Sequence, residues 1–85
     1  MIRMHDEVLK EVIEIIHQVK DDKSVPKNII SKLNEILDII NEDQPDLYIK
    51  IDKILQQLEE ISEDSNLQPF IRTRLWNMTS LLESL

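Results

Sequence analysis

Apolar residues recur along the chain at steps of three and four, in four blocks separated by short polar stretches. The first block is Val8, Leu9, Val12, Ile13, Ile16 and Val19, and the second is Ile29, Ile30, Leu33, Ile36, Leu37 and Ile40. The third is Leu47, Ile51, Ile54, Leu55, Leu58 and Ile61; the fourth is Ile71, Leu75, Met78, Leu82 and Leu85. This is the spacing of an amphipathic helix, and nowhere do several residues alternate with the period of two that a half-buried strand requires. The pattern predicts a single all-α domain over residues 1–85, with helices at about 5–20, 25–41, 44–62 and 67–84 and no strands.

The residues between the blocks fit that division. Ser24, Asp43 and Asn66 are expected N-caps, since each side-chain oxygen can accept an orphan amide of the first helical turn. Pro26, Pro45 and Pro69 follow them closely, where a missing amide costs no intrahelical bond. The prolines therefore mark the starts of helices 2, 3 and 4 and break none of them.

The chain also resembles itself at an offset of about 42 residues, within the period range of two-helix repeats. Asp22, Ile29 and Leu33 match Asp64, Ile71 and Leu75. Ser24, Val25, Ser31 and Lys32 fall on Asn66, Leu67, Thr73 and Arg74, and the stripe Leu9, Val12, Ile13, Ile16, Val19 falls on Ile51, Ile54, Leu55, Leu58, Ile61. The unit is an αα-hairpin used twice. Short connections make successive helices antiparallel neighbours, so the expected architecture is an up-and-down antiparallel four-helix bundle. Two stacked HEAT-like helical repeats are the alternative, which would leave a large apolar face open. Without glycine or alanine at the seams, the helices are expected at the wide end of the packing range, near 10 Å apart.

Composition narrows the function more than the fold. The 85 residues are 41% hydrophobic and 32% charged, as in ordinary globular chains. They include no cysteine and no glycine, which removes disulfides, thiolate nucleophiles and the glycine-rich phosphate cradles. Ten basic against 17 acidic residues give a net charge of −7, which opposes general binding to nucleic acid or to an anionic membrane. The first residues lack the apolar core of a signal peptide. No stretch approaches the roughly 18–20 uncharged apolar residues of a membrane span. The expected location is the cytoplasm.

No catalytic, cofactor-binding or metal-ligating set emerges. Glu14 and His17 have the Glu-x-x-His spacing of di-iron bundles, but at 100° per residue they lie roughly 180° and 125° from the centre of helix 1's apolar stripe and face water. His5 falls on the apolar side of the first turn, with no partner to make it a base. Asp21 and Asp22 in the first loop and Glu63 and Asp64 in the third share one end of an up-and-down bundle, where they could meet a hard cation such as Mg²⁺ or Ca²⁺ or serve only as solvated helix ends.

Helix 4 carries the strongest signal. Trp76, the only tryptophan, lies roughly 140° from the centre of the stripe Ile71, Leu75, Met78, Leu82. Arg72 and Glu83 continue its line, with Thr79 and Ser80 beside it, and tryptophan and arginine are the types most enriched in binding hot spots. Ile49 is off the core stripe of helix 3, and with Ile39 and Trp76 it suggests self-association. Arg72 and Arg74 stand near a helix N-terminus, where the dipole disfavours positive charge, so Glu63, Asp64 or a partner's carboxylates are expected to compensate them. Two readings of Trp76 are open: a partner-binding face, or a ring folded over the bundle seam against Ile2, Met4 or a neighbouring helix.

Two segments carry a family resemblance. One is Val25-Pro26-Lys27-Asn28-Ile29; the other is Glu60-Ile61-Ser62-Glu63-Asp64-Ser65-Asn66-Leu67 running into Pro69 and Arg72-Thr73-Arg74-Leu75-Trp76-Asn77. Together they resemble uncharacterised protein family 0147, a family of small acidic archaeal proteins, over most of the chain. The Arg-Thr-x-x-Trp-Asn stretch is the most specific part. Ile30 departs from the family's usual arginine, and Ser65 and Gln68 stand where prolines are common. The resemblance implies a cytoplasmic four-helix bundle and no assigned activity.

The sequence therefore points to a non-enzymatic interaction module that binds a protein or a second copy of itself through Arg72, Trp76, Thr79, Ser80 and Glu83, with Ile49 as a further contact. The alternative is an accessory protein of the translation or transcription apparatus whose Lys27, Lys32, Arg72 and Arg74 form a basic strip. A cation-dependent enzyme ranks third, for want of a pocket.

Overall fold

The computed structural model describes residues 4–85, from the first residue of α1 to the C-terminus. Four helices follow one another: α1 (Met4–Lys20), α2 (Lys27–Asn41), α3 (Leu47–Ser62) and α4 (Pro69–Glu83), with no strand among the described residues. α1 packs on α2 and α4, and α3 packs on α2 and α4, while the backbones of the diagonal pairs α1/α3 and α2/α4 stay apart. Stacked repeats would have brought the diagonal pairs together, so the arrangement is the closed bundle. The extents of 38 × 20 × 19 Å agree, because a two-by-two packing has two nearly equal short dimensions.

Every apolar block turns one stripe inward. Val12, Ile16 and Val19 meet Ile29, Leu33 and Ile36, and Ile54, Leu58 and Ile61 meet Ile71, Leu75, Met78 and Leu82, all of them buried. Among the described residues no polar or charged residue is fully buried, but the Oε1 atoms of the half-buried Gln57 and Gln68 are shielded from solvent without a hydrogen-bond partner. With these apolar side chains removed from water, the hydrophobic effect is the main force holding the helices together.

α2, α3 and α4 begin two to three residues later than the spacing predicts, α1 begins one earlier, and the caps are different residues. α3 is capped by Asp46, whose carboxylate accepts from the amides of Tyr48 and Ile49 at 2.9 and 3.4 Å, and not by Asp43. Pro26 and Gln68 hold the cap positions of α2 and α4, with Pro69 as the first helical residue of α4, and neither Ser24 nor Asn66 caps a helix. Those two residues belong to tight turns instead. The Asp22 carboxylate accepts from the Ser24 amide at 2.8 Å, as the Asp64 carboxylate does from the Asn66 amide at 2.9 Å. An aspartate that folds back on its own backbone offers the chain an alternative to capping, and here the turn wins.

The internal resemblance extends to the backbone bonding. The Val25 amide donates to the Asp22 carbonyl and the Leu67 amide to the Asp64 carbonyl, each at 3.2 Å. The Pro26 carbonyl accepts from Ile29 and Ile30, as the Gln68 carbonyl does from Ile71 and Arg72, all at 3.1 Å. Val25 and Leu67 then plug the same end of the core. The two turns meet through the Gln68 side-chain amide, which donates to the Ser24 hydroxyl at 3.1 Å.

Leu33→Ala is expected to remove about 3 kcal/mol of stability, because Leu33 is fully buried and the surrounding helices can collapse only in part. Urea denaturation followed by circular dichroism measures it. A loss below about 1 kcal/mol would mean that the core is not packed as described.

Candidate interaction surface

The side chains singled out on α4 separate into two seams. Trp76, Thr79 and Glu83 line a groove of about 310 Å³ between α4 and α3, with Leu55, Leu58, Glu59 and Ser62 opposite them and Leu75 at its base. Ser80 lines a different, shallower depression with Asn77, Leu81 and Ser84 of α4 and Glu11 and Ile15 of α1. Arg72 is half-buried beside the end of α3.

Trp76 is 63% exposed, a ring at the lip of the α3/α4 groove. Ile2 and the side chain of Met4, proposed as covers for it, lie outside the described residues. Ile49 is 44% exposed near the start of α3 and does not line this groove. Ile39 is partly buried against the core, so it is not part of an exposed apolar set. Tyr48, 73% exposed, stands two turns before Leu55 and hence on the same side of α3. Sequence reasoning does not single out Tyr48, Leu55, Glu59 or Ser62. The off-stripe position of Tyr48 was the one available signal; the others depend on which helix lies across from α4.

Among the described residues, neither Glu63 nor Asp64 forms an ion pair with Arg72. Its guanidinium donates to the Ser62 carbonyl, at the C-terminus of α3, at 3.4 Å. The Lys50 ammonium does the same for α2, donating to the Ile40 carbonyl at 3.0 Å. Neither α2 nor α3 has a basic residue in its own last turn, so each negative helix end takes a cation from the following helix. α1 has His17 and Lys20 in its last turn. There Ile30, the repeat counterpart of Arg72, packs against the core instead.

The other candidates are dispersed. Glu14 and His17 are exposed, and His5 faces Asp6 at 3.1 Å across the first turn of α1. Among the described residues no three histidine, aspartate or glutamate side chains gather as a metal-ligand set. The acidic loops do share one end of the bundle, but the carboxylates of Asp22 and Asp64 are engaged by their own turns. Two bonds from Ser24, first its hydroxyl at 2.6 Å and then its amide, hold the Asp22 carboxyl below its ordinary value of 3.8. The basic side chains proposed as a strip lie on α2 and α4, which are diagonal in the bundle. Lys32 faces Glu60 of α3 at 3.5 Å, and Arg72 is committed to Ser62.

The fold and this surface define a closed four-helix bundle with an aromatic-lipped groove. By sequence the chain belongs to the Uncharacterised protein family (UPF0147), whose family model matches residues 1–85. It is 37% identical over 79 residues to a UPF0147 protein of Methanosarcina mazei, covering 93% of this chain and 85% of that one. A UPF0147 protein of Methanothermobacter thermautotrophicus is 33% identical over 84 residues, covering 99% and 82%. Among solved structures, the crystal structure of the unknown-function protein MMP1188 superposes with a TM-score of 0.86 at 26% identity, covering 94% of this chain and 91% of that one.

Arg72→Met, which keeps the apolar stem and removes the donor, is expected to cost about 1 kcal/mol in urea denaturation. An unchanged midpoint would show that the α3 end needs no cation. The Asp22 carboxylate contributes stability that is present above 3.8 and lost as pH falls through its lower folded value. A carbon-detected NMR titration is expected to place its midpoint below 3.8 in the native chain and to move it upward in Ser24→Ala. No movement would remove the hydroxyl as the cause.

Proposed function

We propose that this member of the family is a cytoplasmic, non-enzymatic protein–protein interaction module working through the outer face of α4 and the groove that α4 forms with α3. The observation that carries the proposal is Trp76: a large amphipathic ring, 63% exposed, beside an apolar-floored groove. Exposed tryptophan is uncommon enough, and strong enough in interfaces, that its placement at a concave seam favours docking over chance. Thr79 and Glu83 of α4 belong to the same surface, with Arg72 one turn before Trp76, while Ser80 on the α1/α4 seam and Ile49 near the start of α3 are candidate contacts apart from the groove. Against the nucleic-acid alternative stands the division of its four basic residues between diagonal helices. Phosphate contacts are most effective when they follow one continuous stripe.

Trp76→Ala is expected to change folding stability by no more than about 0.5 kcal/mol while abolishing co-purification of a partner that the native sequence retains from cell extract. Unfolding of the variant by several kcal/mol, or equal retention by both forms, overturns the proposal.

A further inference from the structure

The charges around the groove say what kind of surface would occupy it. Glu59 of α3 and Glu83 of α4 line it together with Trp76, and both are exposed. Among the described residues neither carboxylate has a cation within ion-pair distance. The nearby basic side chains are turned elsewhere: Arg72 to the Ser62 carbonyl, Lys50 to the Ile40 carbonyl and Lys53 to Glu42 at 3.0 Å. The α2/α3 seam is thus closed by cations from α3, whereas the α3/α4 seam keeps its carboxylates unmatched around an aromatic ring. Its floor is apolar, formed by Leu55, Leu58 and Leu75.

We infer that the α3/α4 groove docks a basic, amphipathic segment of a protein partner, with a lysine or arginine of that segment held over the Trp76 ring between Glu59 and Glu83 and its apolar side chains on the leucine floor. This rests on the interaction reading of α4 and adds the chemistry of the partner. A cation over an indole face is attracted by the ring's quadrupole, and flanking carboxylates reinforce the attraction and fix its position. A second copy of this chain is a poorer occupant. Each carries a net charge of −7, so two copies repel, and the repulsion would be concentrated where four unmatched carboxylates met. A basic segment meets the same field with the opposite sign, and its docked length can follow the groove as an amphipathic helix laid along two others.

Trp76 is the only tryptophan, so its fluorescence reports the site directly. The probe is a tryptophan-free amphipathic peptide of roughly 15 residues, with leucines at helical spacing and lysine and arginine elsewhere. Two comparison peptides carry glutamine or glutamate in place of the basic residues. The basic peptide is expected to give a saturable shift of Trp76 emission that weakens as salt is added, and the other two are expected to give none. Glu59→Gln/Glu83→Gln is expected to weaken the basic peptide roughly tenfold. Glu35→Gln/Asp38→Asn, the same charge change on the exposed face of α2, is expected to leave it unchanged.

Equal binding of the basic and glutamine peptides overturns the cationic occupant, as does equal weakening by the two double variants, which would mark a response to net charge alone. Absence of any emission change with the basic peptide overturns it as well. In each of those cases the interaction reading is judged separately, by the Trp76→Ala comparison with the native partner.

Discussion

Four amphipathic helices joined by short turns can bury their apolar stripes only if the last one returns to pack on the first. The contact of α4 with α1 does this, and the other features of the structure depend on it. Without closure, Val12 and Ile16 on one side and Met78 and Leu82 on the other would border water. With it, all of them are buried in a core whose buried residues, among those described, are all apolar.

The turns at the closed end are built to one plan. Asp22 and Asp64 each hold a backbone amide two residues on, and each turn seats an apolar plug, Val25 or Leu67, into the core. The helix ends differ according to the charge available locally. α1 has its own basic last turn, whereas α2 and α3 take a cation across the chain from Lys50 and Arg72. This explains an otherwise unfavourable placement, a positive charge near the N-terminus of α4: the arginine spans to the negative end of the preceding helix.

The same commitments make the two faces of α3 unlike each other. Toward α2, Lys50 and Lys53 tie the helices together, and Lys32 adds a further pair with Glu60. Toward α4 the polar tie among the described residues is at the end, through Arg72, and the groove beyond it is lined by leucine, exposed tryptophan and glutamate with Ser62 and Thr79. An acidic, aromatic groove is left on an otherwise closed bundle, in a family of archaeal proteins defined by sequence and fold and not by an activity.

The helices, their number, the buried stripe on each and the outward position of Trp76 were legible in the sequence, because periodicity is local and each helix records which of its sides avoids water. The repeat was legible for the same reason, as a pattern written twice. The caps were not, since aspartate, serine and asparagine serve a tight turn as readily as a helix end, and only the backbone path shows that Asp46 caps while Asp22 and Asp64 fold the turns. Nor was the partner of Arg72, a main-chain carbonyl that bears no mark in the sequence. The tertiary structure alone decided that α1 closes on α4, that Ser80 and Trp76 face different seams, and that Glu59 stands beside Trp76. Those relations join residues on separate helices, and they exist only once the burial of four stripes at the same time has chosen which helix lies beside which.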